Sequence, residues 1–342
     1  MFPMMQIELP SVVRVCLTVF ALGVVAGCQS SLTGNEGNLT FYYPTDDQLD
    51  FNKPIAIGAK LDLTVFTTGA HAKVELTAVT SDKPQILDSK GFLGNAFTLE
   101  GKSDGSAAIS VKAKKADGTT TQDTINMLAR KPEVIDIAHS CSAGPVGYYL
   151  TDKTIFLPYD LHMKNSQSVI GYGYHALTMV PKDGLAWDQI HKAQWAYVYK
   201  TAKLPGDVTL TSVLEPTRSW TVRLVDEGMI DGGTLTPVTN KTLDVLANVP
   251  AFVLARPTIG GQLLCQPDVT YSAVSKTPEV CTVAPTAAKL QATKELVESR
   301  SWLTVTGKTS GVCEFEVTWT KGNKGQGVKV PLKVNVLKVL KP

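Results

Sequence analysis

The side chains that could do chemistry are few in this sequence and lie far apart. Four of the five histidines, His139, His162, His175 and His191, fall in its central part, and His139 lies close to Cys141. Histidine, cysteine and methionine ligands together would suit copper or zinc. No two of these histidines have the i, i+2 or i, i+4 spacing that is typical of dedicated metal ligands. We therefore expect ordinary surface or core histidines, with no metal site and no cofactor.

The sequence also lacks the motifs of the common catalytic sites. It contains no HExxH, no GxSxG, no Walker loop and no CxxC. Gly171-x-Gly173-x-x-Ala176 is similar to a dinucleotide fingerprint, but it lies in a tyrosine-rich strand pattern without a following helix. The acidic turn from Asp117 to Asp123 does not have the ligand spacing of a known calcium site. We expect no catalytic residues, and we do not expect an enzyme.

Tyrosine and tryptophan are concentrated in the central part and alternate along two predicted strands. Such a face could stack sugar rings, because Tyr and Trp combine an apolar ring with a hydrogen-bonding tip. The same alternation is more typical of aromatic residues that fill a sandwich core, and this second interpretation is the one we prefer. The residues of the candidate platform are Tyr172, Tyr174, Trp195, Tyr197 and Tyr199.

The N-terminus carries a targeting pattern. Arg14 precedes an apolar run, Val15 to Val25, that is too short to cross a bilayer, which needs about 20 residues. The run closes with Val25-Ala26-Gly27-Cys28, which resembles the lipobox of bacterial lipoproteins. The resemblance implies that residues 1–27 are a cleaved signal peptide. It also implies that Cys28 carries a diacylglycerol and an N-acyl chain such as palmitate, which together anchor a protein stably. An ordinary signal peptide with a chance cysteine is the alternative.

The residues after this cysteine bear on location and reach. Gln29 follows Cys28. In lipoproteins of this kind an Asp there favours the inner membrane, so the resemblance implies the outer membrane, on its periplasmic face or at the cell surface. Ser30 to Asn38 is small and polar with two glycines, so residues 28–38 are predicted to be a flexible tether. Fully stretched, it could hold the first domain about 30 Å from the lipid.

Length and charge limit the remaining choices. The mature chain would have 342 − 27 = 315 residues, which suggests two or three domains. The net charge of +2 gives no reason to expect nucleic-acid binding. A hydrophobic content of 44% is sufficient for packed cores.

Alternating apolar and polar residues predict strands through most of the mature chain. In residues 39–131, for example, Leu61, Leu63 and Val65 alternate with polar side chains, and Asp104-Gly105 marks a tight turn. Short strands that alternate in this way and are separated by turns are typical of a β-sandwich.

The rest of the chain divides into two further predicted domains. Residues 132–256 are also β-like but rich in aromatic side chains, with a short helix predicted between Lys182 and Ala193. Val249 to Pro257 is interpreted as the exit strand and linker of this domain. From 257 to 342 the pattern of the first domain returns.

An internal repeat connects the first and last predicted domains. The stretch from Phe97 to Val111 aligns without a gap with the stretch from Leu303 to Val317, with Gly101 on Gly307. A repeated supersecondary unit is stronger evidence than any single predicted strand. The repeated pattern resembles bacterial immunoglobulin-like domains of the tandem kind found on cell-surface proteins. The resemblance implies an all-β chain of tandem immunoglobulin-like β-sandwiches, the middle one divergent because it has no clear Gly-x-x-x-Gly turn.

Four cysteines remain after the lipidated one, and an even number in an exported chain suggests disulfides. In the repeat, Cys281 and Cys313 align with two expected core positions of the first domain. Strands at these places can face each other in an immunoglobulin-like sandwich, so the resemblance implies a Cys281–Cys313 bridge. Cys141 and Cys265 would then pair by elimination and stiffen a domain junction. A Cys265–Cys281 pair and unpaired buried thiols remain open.

These observations together predict a lipid-anchored protein of the cell envelope with a structural, adhesive or ligand-presenting role. Its partners would be the membrane, through Cys28, and an envelope polysaccharide or protein. The alternative is a carbohydrate-binding, carbohydrate-active or metal-dependent protein with its site in the aromatic middle domain.

Overall fold

The fold was analysed in a computed structural model. The strands β1 to β27 of the described residues form six sheets, which enclose three main hydrophobic cores. Two single-turn 3-10 helices, Glu227–Met229 and Asn323–Gly325, complete the regular structure of this part of the chain. The protein is therefore all-β and consists of tandem immunoglobulin-like β-sandwiches, as predicted. The described residues are 30–43, 53–142, 144–188, 196–237, 245–286 and 302–337.

The first sandwich pairs a sheet of order β1-β2-β4-β7-β6 with a sheet of order β3-β9-β8-β5. Leu61, Leu63 and Val65 of β4 are buried between the sheets, because alternate side chains of a strand point to the same face. Its strands are β1 (Ser30–Thr33), β2 (Leu39–Tyr43), β3 (Ile55–Ala56), β4 (Lys60–Thr67), β5 (Glu75–Ser81), β6 (Leu87–Leu93), β7 (Ala96–Gly101), β8 (Gly105–Lys114) and β9 (Thr120–Arg130).

The middle sandwich pairs a sheet of order β10-β12-β16-β15, with β13 on β12, and a sheet of order β11-β18-β17-β14. Its strands are β10 (Val134–Ile137), β11 (Val146–Leu150), β12 (Thr154–His162), β13 (Ser168–Val169), β14 (Leu177–Val180), β15 (Leu185–Trp187), β16 (Ala196–Thr201), β17 (Gly206–Ser212) and β18 (Ser219–Val225). The helix predicted between Lys182 and Ala193 is wrong over β15, because Leu185 enters the core and β15 pairs with β16. Residues 189–195 lie outside the described residues.

The third sandwich pairs a sheet of order β19-β21-β25-β24, with β22 on β21, and a sheet of order β20-β27-β26-β23. Its strands are β19 (Gly232–Pro237), β20 (Val245–Leu246), β21 (Pro250–Ile259), β22 (Gln262–Leu263), β23 (Tyr271–Ser275), β24 (Cys281–Pro285), β25 (Trp302–Gly307), β26 (Gly311–Trp319) and β27 (Val328–Leu337).

The strand pairings place the start of the third sandwich earlier than the predicted boundary after residue 256. β19 pairs with β21, and β21 pairs with β25, so the third sandwich begins at Gly232. The stretch interpreted as exit strand and linker is instead the central strand β21. Its Val253 and Ala255 are buried in the third core, which explains why the stretch is apolar.

All three sandwiches share one strand order, including the middle one that was expected to diverge. We name the strands of each sandwich A, A′, B, C, D, E, F and G in chain order, where the A strands are β2, β10 and β19. One sheet then has the order A-B-E-D and the other A′-G-F-C. In each sandwich the A′ strand runs parallel to the G strand. β1, β13 and β22 are additional short strands.

The turn between the E and F strands explains why the repeat is hidden in the middle sandwich. In the first sandwich the E strand ends at Gly101, where a Cβ atom would lie 2.6 Å from the carbonyl oxygen of Ala56. In the middle sandwich the E strand ends at Thr201. The Thr201 hydroxyl donates to the Leu150 carbonyl at 2.9 Å and accepts the Lys153 N–H at 2.8 Å. A threonine side chain thus fills the place that the other sandwiches close with a glycine.

The predicted bridge in the third sandwich is confirmed. Cys281, the first residue of β24, and Cys313 of β26 form a disulfide with a Cα–Cα distance of 5.6 Å, and both are fully buried. The corresponding places in the first sandwich hold Leu87 and Ala107, which are buried in its core. A covalent link therefore replaces an apolar contact at an equivalent position.

The tether predicted for residues 28–38 is wrong over residues 30–38. Ser30–Thr33 form β1, which pairs with β2 at the edge of the first sandwich. Small polar residues predicted flexibility there, but Leu32 packs against the first core and the backbone pairs with β2. Cys28 and Gln29 lie outside the described residues.

A buried carboxylate holds the loop that follows β1. Asp123 is 1% exposed. Its two oxygens accept the backbone N–H groups of Glu36, Asn38 and Leu39 at 2.7–2.8 Å. Burial alone would raise the pKa of Asp123, but hydrogen bonds from Glu36, Leu39 and Thr124 hold it below its ordinary value. The carboxylate therefore remains charged at neutral pH and ties the first residues of the fold to β9.

We predict that Gly101→Ala destabilises the first sandwich by about 1 to 3 kcal/mol, because the new Cβ would overlap the Ala56 carbonyl, which is backbone and cannot move alone. The matched control is Gly206→Ala at the start of the F strand of the middle sandwich, where a Cβ atom has open space. This control should change stability by less than about 0.5 kcal/mol. Urea unfolding measures both, and equal effects would contradict the assignment.

Candidate functional site: the sandwich junctions and the aromatic cluster

The candidate platform residues do not form one exposed surface. Tyr197 and Tyr199 of β16 are 3% and 0% exposed, so the platform interpretation is wrong for both. Their side of β16 faces the opposite sheet of the sandwich, where they belong to the middle core. Tyr172 and Tyr174 are half-buried. Trp195 lies outside the described residues.

The buried tyrosines belong to an aromatic cluster at the edge of the middle core. Tyr159 and Tyr197 stack at 4.1 Å between ring centroids. His175 binds the Tyr199 hydroxyl through Nε2 and stacks on Trp187 at 4.2 Å. Burial raises the pKa of Tyr159, Tyr197 and Tyr199 and lowers the pKa of His175. The Tyr199 hydroxyl is paired with Nε2 of His175 inside the cluster, so the cluster is a packing feature with a half-buried His–Trp edge.

Trp187 was not among the residues predicted for this site. A signal was present, because Leu185 and Trp187 alternate on one face of β15, and Trp187 lies opposite Tyr199 in the β15–β16 register. The prediction of a helix over this stretch concealed the alternation.

His139 is a buried histidine with two partners. It is 6% exposed. Its Nε2 lies 3.2 Å from the Pro145 carbonyl and its Nδ1 lies 3.0 Å from the Tyr149 hydroxyl. Because a carbonyl can only accept, Nε2 carries the proton and Nδ1 accepts from Tyr149. Burial lowers the pKa of His139.

The other histidines that the structure describes do not form a metal site. His162 lies 3.2 Å from a carboxylate oxygen of Asp136, and His191 lies outside the described residues. Within the described ranges, no group of three or more His, Cys, Asp or Glu side chains is placed to hold a metal ion. No helix in this part of the chain has the length and apolarity that a membrane span requires.

The first junction is built from backbone hydrogen bonds between sandwiches. Ile170, in the loop between the B and C strands of the middle sandwich, accepts the Ala56 N–H and donates its own N–H to the Pro54 carbonyl, both at 2.8 Å. Tyr172 and Lys60 exchange two further backbone hydrogen bonds at 2.8 Å. The middle sandwich therefore adds an extended segment beside the A′ strand and the first residue of the B strand of the first sandwich.

Side chains close this junction. The Tyr172 hydroxyl donates to Asp62 at 2.9 Å. A Cβ atom at Gly58 would lie 3.1 Å from the Tyr174 ring, and one at Gly171 would lie 2.8 Å from Ala59. The glycine that resembled part of a dinucleotide fingerprint is thus needed for close approach of two sandwiches.

The second junction uses the same elements and adds a covalent bond. Cys141 and Cys265 form a disulfide, which confirms the second predicted pairing. The Cys265 N–H donates to the Tyr148 carbonyl at 2.7 Å. The side-chain amide of Gln266 bonds both the N–H and the carbonyl of Phe156. Cys265 and Gln266 lie in the B–C loop of the third sandwich, as Ile170 lies in that of the middle one.

The cores also continue across both junctions. Ala56 and Ala59 of the first sandwich are buried in the core of the middle sandwich. Leu150 and Val225 of the middle sandwich are buried in the core of the third. An ion pair of 3.3 Å between Lys153 and Asp268 lies at the surface of the second junction. Each sandwich therefore shares apolar packing, as well as backbone pairing, with the next.

We predict different effects for the two disulfides. Cys281→Ala with Cys313→Ala should lower the stability of the third sandwich by about 3 to 4 kcal/mol without changing the angle between sandwiches. Cys141→Ser with Cys265→Ser should broaden the distance distribution between spin labels on the middle and third sandwiches. Denaturation and electron spin distance measurements check this assignment. A narrow distribution in the second variant would contradict a stiffening role for its disulfide.

We predict that His139 makes stability depend on pH. Its pKa is lowered by burial, so the unfolded chain binds more protons below the ordinary histidine pKa of about 6.5. The contribution of His139 to stability is therefore fully present above that pH, and it is lost as the pH falls through the folded-state pKa. His139→Gln should flatten the change in unfolding free energy between about pH 7.5 and about pH 5.5. His71→Gln at an exposed site is the control, and an unchanged slope in His139→Gln would contradict the prediction.

The chain is similar to known proteins only in the comparison with solved structures. No known protein family matches the chain, and no curated protein matches it. It is similar to domains 4–9 of the surface layer protein SbsC, with 14% identity and a TM-score of 0.25, over 87% of this chain and 47% of that chain. The chain thus spans about half the length of that structure.

Two other solved structures show a comparable likeness. One is SGBP-B of the Bacteroides ovatus mixed-linkage glucan utilization locus, with 13% identity and a TM-score of 0.26, over 86% of this chain and 67% of that chain. The other is the Escherichia coli adhesin FdeC, with 12% identity and a TM-score of 0.22, over 92% of this chain and all of that one. At such TM-scores the fold assignment rests on the strand pairings.

Proposed function

We propose that this chain is an exported, lipid-anchored protein of the cell envelope. Its three sandwiches act as one stiff unit with a structural or adhesive role, and its exposed loops meet an envelope polysaccharide or protein. The observation that supports this function is the construction of both junctions. Domains within a chain move relative to each other by default unless their interface is large and hydrophobic. Here each junction combines backbone pairing with shared core residues, and the second also has a disulfide.

The oxidised cysteines support export. Disulfides persist in oxidising compartments and are rare in the cytosol. Cys141, Cys265, Cys281 and Cys313 are all paired, which agrees with removal of residues 1–27 as a signal peptide. The lipobox pattern at Cys28 then supports acylation and the outer membrane as the location.

The start of the fold sets the distance between lipid and sandwich. Cys28 is separated from Ser30 of β1 by only two steps along the chain, which span at most about 7 Å. A lipid on Cys28 would therefore hold the edge of the first sandwich next to the bilayer surface. The protein would present its middle and third sandwiches outward by their own length, without a flexible spacer.

We expect the mature protein to begin at Cys28, to carry the mass of a diacylglycerol and an N-acyl chain, and to fractionate with the outer membrane. Cys28→Ser should abolish the lipid mass and release the protein into the soluble fraction. Mass spectrometry of the N-terminal peptide and membrane fractionation measure both. A mature N-terminus elsewhere, or an unmodified Cys28, would contradict the proposal that the protein is lipid-anchored.

We expect Asp123→Asn to detach the N-terminal segment. An amide offers one acceptor oxygen where the carboxylate offers two, so backbone N–H groups of the loop 34–38 lose their partner. A lost hydrogen bond to a charged group costs about 1.5 to 3 kcal/mol. Protease cleavage between β1 and β2 should accelerate, whereas Asp117→Asn in an exposed turn should leave it unchanged. Equal cleavage rates would show that Asp123 does not hold this segment.

A further inference from the structure

The third sandwich exposes apolar residues at the end where the first and middle sandwiches meet the sandwich that follows them. Leu246, Val249 and Leu337 are 45%, 47% and 44% exposed. Leu246 ends the A′ strand, Val249 lies in the A′–B turn, and Leu337 ends the G strand. In the first and middle sandwiches this end is where the following sandwich docks.

Equivalent positions in the three sandwiches can be compared residue by residue. The A′–B turn contains a residue with positive φ in each sandwich, at Gly58, Asp152 and Asn248. The residue two places before it is buried in the core of the following sandwich in two cases, at Ala56 and Leu150. Its counterpart in the third sandwich, Leu246, is exposed.

The end of the G strand shows the same contrast. In the parallel A′–G register, Val225 lies opposite Leu150, and Leu337 lies opposite Leu246. Val225 is 3% exposed and buried in the third core. Leu337, at the equivalent place, is 44% exposed, and the first sandwich has Arg130 there.

A third equivalent position lies on the B strand. Asp62 accepts the Tyr172 hydroxyl of the middle sandwich, and Phe156 is bonded through its backbone by Gln266 of the third sandwich. The counterpart in the third sandwich is Phe252, a half-buried residue whose ring lies 6.0 Å from that of Trp302. The exposed surface therefore extends to the aromatic pair of Phe252 and Trp302.

We propose that this end of the third sandwich is a docking surface for an immunoglobulin-like sandwich of another polypeptide, received through the loop between its B and C strands. The two junctions of this chain show the required chemistry. At each junction the incoming loop donates a backbone N–H to a carbonyl of the preceding sandwich, that of Pro54 or Tyr148, and apolar residues of the preceding sandwich enter the next core. The counterpart of these two acceptors in the third sandwich, Asp244, lies outside the described residues. This surface is independent of whether Cys28 carries a lipid.

A second copy of this chain fits the surface less well. Among the described residues, the B–C loop that pairs with no other sandwich is that of the first, residues 68–74, and it is shorter than the docking loops 163–176 and 260–270. His71 and Lys73 are exposed in it, so it offers polar side chains to an apolar surface. A tail-to-tail pair would bring together two copies of the exposed Lys308 in the E–F turn.

Photo-crosslinking in the cells that make the protein tests this docking surface. Leu246→benzoylphenylalanine should crosslink to another polypeptide at least tenfold more than Leu93→benzoylphenylalanine, a control at the 87% exposed hairpin tip of the first sandwich. The crosslinked peptide should map to the loop between the second and third strands of a β-sandwich. Both positions are exposed, so the fold should tolerate the probe.

A second arm separates docking from general adhesion. With the probe at Leu337, the paired changes Leu246→Ser and Val249→Ser should reduce crosslinking at least tenfold while leaving the melting temperature unchanged. The proposal would be overturned by crosslinks to a second copy of this chain, to lipid or to polysaccharide. Crosslinks no stronger than those from Leu93, or a peptide elsewhere in the partner, would overturn it as well.

Discussion

The structure depends on one repeated interaction, the backbone pairing of a B–C loop with the A′ strand of the preceding sandwich. At the first junction the Ile170 N–H binds the Pro54 carbonyl, and at the second the Cys265 N–H binds the Tyr148 carbonyl. Pro54 and Tyr148 occupy equivalent places before the positive-φ residue of their turns. Such a hydrogen bond fixes direction as well as distance. It therefore orients one sandwich on the next, which apolar contact alone would not do.

The same turn explains the glycines and the threonine of the E strand. The A′ strand must lie against the end of the E strand so that its turn can face the next sandwich. Gly101 permits this contact by having no side chain, and Thr201 permits it by binding the Leu150 carbonyl with its hydroxyl. A glycine and a hydrogen-bonding threonine thus permit the same backbone geometry. The first and middle sandwiches therefore form the same kind of junction with the sandwich that follows.

Much of the fold could be predicted from alternation and from the repeat. The all-β class and the strands around Leu61 and Val317 follow from patterns that depend on neighbouring residues. The Cys281–Cys313 bridge was implied by the resemblance to immunoglobulin-like domains, and the Cys141–Cys265 bridge was predicted only by elimination. The boundary before Gly232 could not be found in this way, because a central strand such as β21 and an apolar linker have the same composition. Asp123 was missed as a structural residue because its partners lie far away in sequence. Its role emerges only when β9 and the loop after β1 come together.

The candidate site shows the same limit. Alternation correctly favoured a core position for Tyr197 and Tyr199, since inward residues repeat every second place. It could not show that Tyr172 and Gly171 belong to a junction, because their partners lie in another sandwich. A contact between two domains produces no regular spacing of residues in the sequence of either domain.

Hydrogen exchange at the junction amides tests the central claim most directly. If the sandwiches form one stiff unit, the backbone amides of Ile170, Tyr172 and Cys265 should exchange as slowly as amides in the strands they join. Exchange at the rate of an exposed loop, such as the turn around Gly118, would show that the junctions open independently of the sandwiches, and it would contradict this account.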